Sequence, residues 1–307
     1  MHEPVLLKEV IELLRVRPGG TYIDATVGSG GHTRALLDAV GPAGRVLGID
    51  RDPAALERAR ERLGAGATRC VLAHGNYAHM AEMAARAGVG AVDGVLIDCG
   101  VSSEQIDTAR RGFSFMADGP LDMRMDPTEG PSAADVVNGL PEEDLFFVLK
   151  TLGEEPAARR IARAIAAARQ AAPIAGTGQL ASIVARAVGG RRGRLHPATR
   201  TFQAIRMRVN REQESLDRGI EAGLSLLGTG GRMAVISFHS LEDRIVKNGF
   251  RRHAGQWESL AAGGRAWRGE EPRVQIVTRK PVTPAEDEQR RNPRSQSAKL
   301  RVAERLG

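Results

Sequence analysis

Apolar positions divide the chain into three stretches. Between residues 21 and 98, short apolar runs alternate with Ala-, Leu- and Arg-rich segments of helical spacing. TYIDA (21–25), RVLGID (45–50), RCVLAH (69–74) and VDGVLID (92–98) read as strands. Such alternation builds right-handed βαβ units, and hence a parallel sheet. Asp52-Pro53 opens the helix after the second run as an N-cap followed by proline at the first helical position. From about residue 105 to residue 210 the strand rhythm stops: a polar, Gly- and Pro-interrupted stretch leads into helices such as AARRIARAIAAARQ. It resumes with GRMAVISF (231–238), a helix from Ser240, RVQIVT (273–278) and AKLRVAE (298–304). The pattern predicts an α/β fold, a mostly parallel Rossmann-like sheet built from residues 1–104 and 213–307 and interrupted by a helical insertion over 105–212. Residues 263–271 read as a loop, and 284–297 as a polar crossing before the last strand. Ser240 and Asp243 offer an S-x-x-D cap to the helix that follows the fifth strand.

Composition narrows the function classes. The 307 residues are 42% apolar, enough for a proper core without staples. The opening MHEPVLLKEVIELLRV carries acids and helical spacing instead of a basic start and an apolar run. No segment approaches the roughly 20 apolar residues needed to cross a bilayer, so a cytoplasmic protein without membrane contact is expected. Cys70 and Cys99 are far apart and outside any metal-ligand spacing. The net charge of +7 is concentrated: residues 150–218 hold fourteen Lys and Arg against five acids. A charge run is ordinarily a solvated helical face. Here the GGRRGR run (189–194) and an insertion that enters the chain beside a candidate cofactor pocket favour contact with phosphates, and so a nucleic-acid partner. With 4% aromatics, shape and backbone contacts are expected to outweigh base stacking.

The candidate chemistry lies at strand ends. DATVGSGGHT (24–33) follows the first strand, where glycines admit a ligand close to the backbone and a helix N-terminus offers free N–H groups. As a dinucleotide fingerprint it is incomplete, because the third glycine position falls on Thr33. Asp50 ends the second strand, where an acid can accept from both ribose hydroxyls of an adenosine; NAD and S-adenosylmethionine both satisfy this. HGNYAHM and Asp98 fall after the third strand and at the end of the fourth, the places where open α/β sheets bind ligands. In LIDCGVSS nothing nearby activates the Cys99 thiol, which reads as a small apolar residue. Asp122 and Asp126 in LDMRMD read as caps or partners of Arg124, and no metal site is expected.

Taken together, DATVGSGGHT, LIDCGVSSEQIDTARRGFSF, LDMRMD, LHPATRTFQAIRMRVN and SFHSLEDRIVK resemble the bacterial 16S ribosomal RNA cytosine-N4 methyltransferase family, over nearly the whole chain. The resemblance implies a class I methyltransferase domain with a helical insertion and S-adenosylmethionine as donor. It also implies as target the N4 amine of a cytidine in the decoding region of 16S rRNA, within the small ribosomal subunit. Carried across, Gly30, Gly31 and His32 line the methionine part of the donor, and Asp50 holds the ribose. Tyr77 flanks the adenine, and Asp98 and Gln105 complete the pocket. The chain departs from the family at Ser29, at Cys99, where leucine is usual, and at Pro156-Ala157, where an Arg-Phe pair is usual.

Methyl transfer from a sulfonium to an amine is an in-line displacement that requires alignment and no covalent enzyme intermediate. Other amino-methyltransferases present an acid or amide, two prolines and an aromatic after the fourth strand. This chain has Asp98 followed by Cys-Gly-Val-Ser-Ser, so Ser102 and Ser103, with His239 from the end of the fifth strand, are the candidates to receive the target base. Two alternatives stand beside this reading: an NAD-dependent reductase, and an RNA-binding ribosome-assembly factor without turnover.

Overall fold

The computed structural model describes residues 4–190, 196–268 and 271–307, and divides into two compact units, Met1–Gly100 with Gln213–Gly307, and Val101–Glu212. In chain order the first unit begins α1 (Leu7–Leu13), β1 (Thr21–Asp24), α2 (Gly31–Val40), β2 (Arg45–Asp50), α3 (Pro53–Leu63), β3 (Cys70–His74), α4 (Met80–Arg86) and β4 (Val92–Asp98). The second unit holds α5 (Ser103–Asp107), α6 (Ala133–Gly139), α7 (Glu142–Leu152), α8 (Ala158–Ala171), α9 (Thr177–Val188) and α10 (Thr199–Asn210). Then follow α11 (Glu212–Leu226), β5 (Leu227–Ser237), α12 (Ser240–Ala254), β6 (Gln256–Ser259), β7 (Arg265–Arg268), β8 (Val274–Ile276), α13 (Glu286–Arg291) and β9 (Lys299–Arg305).

Seven strands form one sheet in the order β3-β2-β1-β4-β5-β9-β8. The pairings from β3 to β5 are parallel, and β9 runs antiparallel to both its neighbours. Period-two alternation sorts the side chains onto two faces. Ile23, Val95, Ile97, Met233 and Val235 pack with residues of α4, α11 and α12. Their sequence neighbours Tyr22, Leu96, Ala234 and Ile236 pack on the other face with α1 and α2. Burying each large side chain contributes about 1.5–3 kcal/mol, so helices on both faces account for the near-continuous apolar runs of these strands. Strand order reverses at β1, with β2 on one side and β4 on the other, which opens a crevice at their carboxyl ends.

Asp52 caps α3, its Oδ1 accepting from Ala54 N–H at 3.0 Å, as the Asp-Pro pair predicts. Two local expectations are corrected. Within the stretch read as a loop, residues 265–268 form β7, which pairs antiparallel with β6; the turn between them is closed by Leu260 N–H to Gly264 O at 3.0 Å. Within the polar crossing lies α13, begun by Glu286, Asp287 and Glu288, acids suited to a helix N-terminus.

The second unit has its own core, in which Leu145 and Leu149 of α7, Ile161 and Ile165 of α8, Leu180 and Val184 of α9, and Phe202 and Ile205 of α10 meet. Asn210 ties LDMRMD to α10, donating from Nδ2 to Met123 O at 2.7 Å and accepting from Met125 N–H at 2.8 Å. This clamp holds Met123 in the left-handed region, φ 59°. Asp122 pairs with Arg124 through both oxygens, at 3.0 and 2.7 Å, and Asp126 accepts from the N–H and hydroxyl of Thr128. Arg191, Arg192 and Arg194 of the GGRRGR run lie outside the described residues.

Candidate active site

Carboxylates gather at the carboxyl ends of β1, β2 and β4. Asp50 is aimed by two backbone donors: Gly28 N–H reaches Oδ2 at 2.7 Å, and Asp52 N–H reaches Oδ1 at 2.8 Å. The glycine loop and the start of α3 therefore fix one carboxyl group between them, while burial raises its pKa. Asp24, fully buried at the end of β1, accepts from Thr33 Oγ at 2.6 Å and from Thr26 N–H at 3.2 Å. Burial pushes its pKa up to about 6 against these bonds, with a smaller push from Asp50. Asp98 is shifted furthest, up to about 8, by burial and then by the charges of Asp24 and Glu242. Its Oδ1 is buried with no hydrogen-bond partner among the described residues. Thr26 Oγ fixes the strand end here by accepting from Asp98 N–H at 2.7 Å.

His32 joins the same cluster from the first turn of α2. Its Nε2 is 3.0 Å from Val5 O, so this nitrogen carries the proton, and Nδ1 lies 3.7 Å from Asp98 Oδ2. Burial lowers the His32 pKa to about 4, leaving the ring neutral at pH 7. Gly28 and Gly30 adopt positive φ, at 54° and 80°, as the turn into α2 requires. Gly31 is needed for a different reason: a Cβ there would lie 2.4 Å from Pro4 Cγ. Tyr77 follows β3 and packs against Gly219 of α11, where an added Cβ would come within 2.5 Å of the ring. Asn76 holds this turn through Ala78 N–H at 2.9 Å and Ser215 Oγ at 2.9 Å.

The strand ends thus bring together His32, Asp50 and Asp98, and add Asp24 and Thr33, which the sequence did not single out as site residues. Asp24 carried a legible signal, since it ends β1 as Asp50 ends β2 and Asp98 ends β4. Thr33 occupies the fingerprint's third glycine position, where its hydroxyl bonds Asp24. Chemically, the arrangement attracts positive charge. Asp24, Asp50 and Asp98 have no cationic side chain hydrogen-bonded to them among the described residues, and the nearby histidine is neutral.

Ser102, Ser103 and Gln105 belong to the second unit. Ser102 and Gln105 form a capping box for α5: Ser102 Oγ accepts from Gln105 N–H at 3.2 Å, and Gln105 Oε1 accepts from Ser102 N–H at 3.0 Å. His239 corrects the cap expected of Ser240 and Asp243. It is itself the N-cap of α12, its Nδ1 accepting from Glu242 N–H at 3.4 Å, while Glu242 Oε2 accepts from Phe238 N–H at 2.8 Å. His239 Nε2 lies 3.1 Å from Glu242 Oε1, outside hydrogen-bond alignment. Asp243, freed from capping, takes both arms of Arg301 on β9, at 2.6 and 3.2 Å. Cys99 is buried among the apolar side chains on one face of the sheet.

No helix among the described residues is long and apolar enough to cross a membrane. Comparison with known proteins identifies relatives over the whole length. The chain is 52% identical over 307 residues to Ribosomal RNA small subunit methyltransferase H of Geobacter sulfurreducens, covering 99% of each protein. Its namesake in Thermomicrobium roseum is 50% identical over 305 residues, with 99% of this chain and 94% of that one covered. That of Trichlorobacter lovleyi is 48% identical over 308 residues, with coverage of 100% and 98%. A family profile matches residues 1–306, and the chain accordingly belongs to the MraW methylase family.

Proposed function

We propose that this chain is a cytoplasmic enzyme that transfers a methyl group from S-adenosylmethionine to the exocyclic N4 of a cytidine in the decoding region of 16S rRNA, taken within the small ribosomal subunit. The relatives' name supports the substrate class. The observation that carries the donor is the cluster of strand-end acids with its orphaned Asp98 Oδ1. When bound, S-adenosylmethionine supplies an electrophilic methyl on a positively charged sulfur, and it carries an ammonium as well. Carboxylates raised by burial and mutual repulsion gain most from such a ligand. The fingerprint's missing glycine is a threonine whose hydroxyl is bonded to Asp24 at the end of β1, so the reductase alternative is set aside.

Within this reading Asp50, already aimed by two N–H groups, offers its remaining lone pairs to the two ribose hydroxyls. Asp98 offers Oδ1 to positive charge. Gly30, Gly31 and neutral His32 line the methionine portion, and Tyr77 flanks the adenine. Gln105 as a donor contact, and Ser102, Ser103 and His239 as positioners of the target base, rest on the family resemblance. The caps leave Ser102 Oγ a second lone pair and leave His239 Nε2 outside hydrogen-bond alignment. Cytosine N4 is conjugated with its ring and poorly nucleophilic, so an acceptor on its N–H helps to localise the lone pair for in-line attack. Incubation with labelled donor and unmodified small subunits, followed by nucleoside analysis, tests the proposal. Label in N4-methylcytidine is expected; label in C5-methylcytidine, or none, overturns it.

A further inference from the structure

The second unit carries an aromatic column that runs from its core to its surface. Phe202 of α10 is 4% exposed. Phe115 meets it edge-on at 4.8 Å between ring centroids, and His196 lies on Phe115 at 4.5 Å with the planes 32° apart. His196 is exposed, so with one face on Phe115 its other face meets solvent. Its Nδ1 accepts from Ala198 N–H at 3.2 Å just before α10, which fixes the ring. Beside Phe115, Met116 is 86% exposed, the most exposed of the large apolar side chains described. Its loop is anchored rather than loose: Gly119 N–H donates to Thr177 Oγ at 3.0 Å, Thr177 N–H to Gly119 O at 2.9 Å, and Gly178 N–H to Asp118 Oδ1 at 2.8 Å. Holding a bare methionine and an imidazole face outward on fixed backbone costs solvent-exposed apolar area that the fold itself does not use.

We propose that His196, backed by Phe115 and flanked by Met116, is a stacking platform for one unpaired base of the RNA substrate. The inference rests on the RNA-substrate reading above and adds a specific nucleotide contact to it. Charge favours this occupant over a protein partner. The chain immediately before His196 contains Arg191, Arg192 and Arg194, and Arg110 in the Phe115 segment is exposed. Cations close in sequence to a π-face suit a phosphodiester chain whose bases stack without sequence preference.

The test uses the full chain and a short single-stranded oligoribonucleotide with 2-aminopurine at one position, whose fluorescence is quenched by stacking. His196→Asn keeps the side-chain acceptor for Ala198 N–H and removes the ring; His196→Phe keeps a ring and removes the acceptor. Asn is expected to weaken binding about 10-fold and abolish the quench, while Phe retains both. Met116→Ala should weaken binding several-fold. Wild-type-like binding and quench in His196→Asn, or no quench with the wild-type protein, overturns the proposal. Donor binding by the same variants stays at the wild-type level if the stack alone is lost, which separates failure of this inference from failure of the methyl-transfer reading.

Discussion

In the sheet unit the charges that matter are acids turned inward, at the ends of β1, β2 and β4. In the helical unit they are arginines turned outward. On α8, Ile161 and Ile165 are buried while Arg160 and Arg163 are exposed, and neither arginine has an ion-pair partner among the described residues. The first arrangement destabilises the unliganded protein and is relieved by a cationic ligand. The second costs little, because water solvates each guanidinium, and its charge is of the sign that suits a polyanion. One chain thus holds two opposite electrostatic arrangements, which under the proposed function match the two partners of a methyl transfer to RNA.

Substitution at Asp50 should break the acid side most severely. Under the proposed function Asp50→Ala removes two charge-assisted contacts to the ribose, each worth about 1.5–3 kcal/mol, so donor affinity by calorimetry should fall at least about 100-fold. Asp98→Asn should weaken the donor about 10-fold or more, yet raise the melting midpoint of the unliganded protein by about 2–5 °C. The sign follows from the raised pKa. A folded protein that holds the Asp98 proton up to about pH 8 has that contribution in full below the ordinary carboxylate pKa and loses it as pH rises to 8. Donor affinity should move the opposite way, climbing with pH toward 8 and levelling above it. In Asp98→Asn this climb should flatten, and an unchanged climb would assign the titration to another group.

Smaller effects sharpen the contrast. Thr33→Val removes the hydroxyl that bonds buried Asp24 at 2.6 Å, and should cost about 1–3 kcal/mol in urea unfolding. Arg160→Ala with Arg163→Ala should leave stability within about 0.5 kcal/mol and make the salt dependence of RNA binding shallower by about 1–2 in log–log slope. An unchanged slope would exclude α8 from the RNA surface.

Most of the sheet was legible because its central strands are buried on both faces and three of them, β1, β2 and β4, end in acids, so periodicity and strand ends coincide. Asp52-Pro53 was legible because N-capping is local. What escaped was decided at a distance. The S-x-x-D frame of Ser240 and Asp243 overlaps an H-x-x-E frame one residue earlier, and Arg301, 58 residues away, draws Asp243 into an ion pair and so selects the second. The β6–β7 hairpin has no long apolar run, and its turn relies on Gly263 and Gly264 at φ 82° and 93°. A 4% aromatic content hid the column through Phe115, since composition averages over the chain what α10 and one anchored loop concentrate.

The place of the insertion has a consequence for how the protein is made. β4 and β5 are hydrogen-bonded neighbours, yet 128 residues separate the end of one from the start of the other. At about 5–20 residues per second, a ribosome needs about 6–26 s to cross that interval. Throughout it, the nascent sheet ends at β4, whose unpaired edge and apolar Val95, Leu96 and Ile97 wait for a strand that has not been synthesised. Biogenesis of this fold therefore includes a built-in pause with an adhesive edge, the interval in which chaperone binding matters most to its yield.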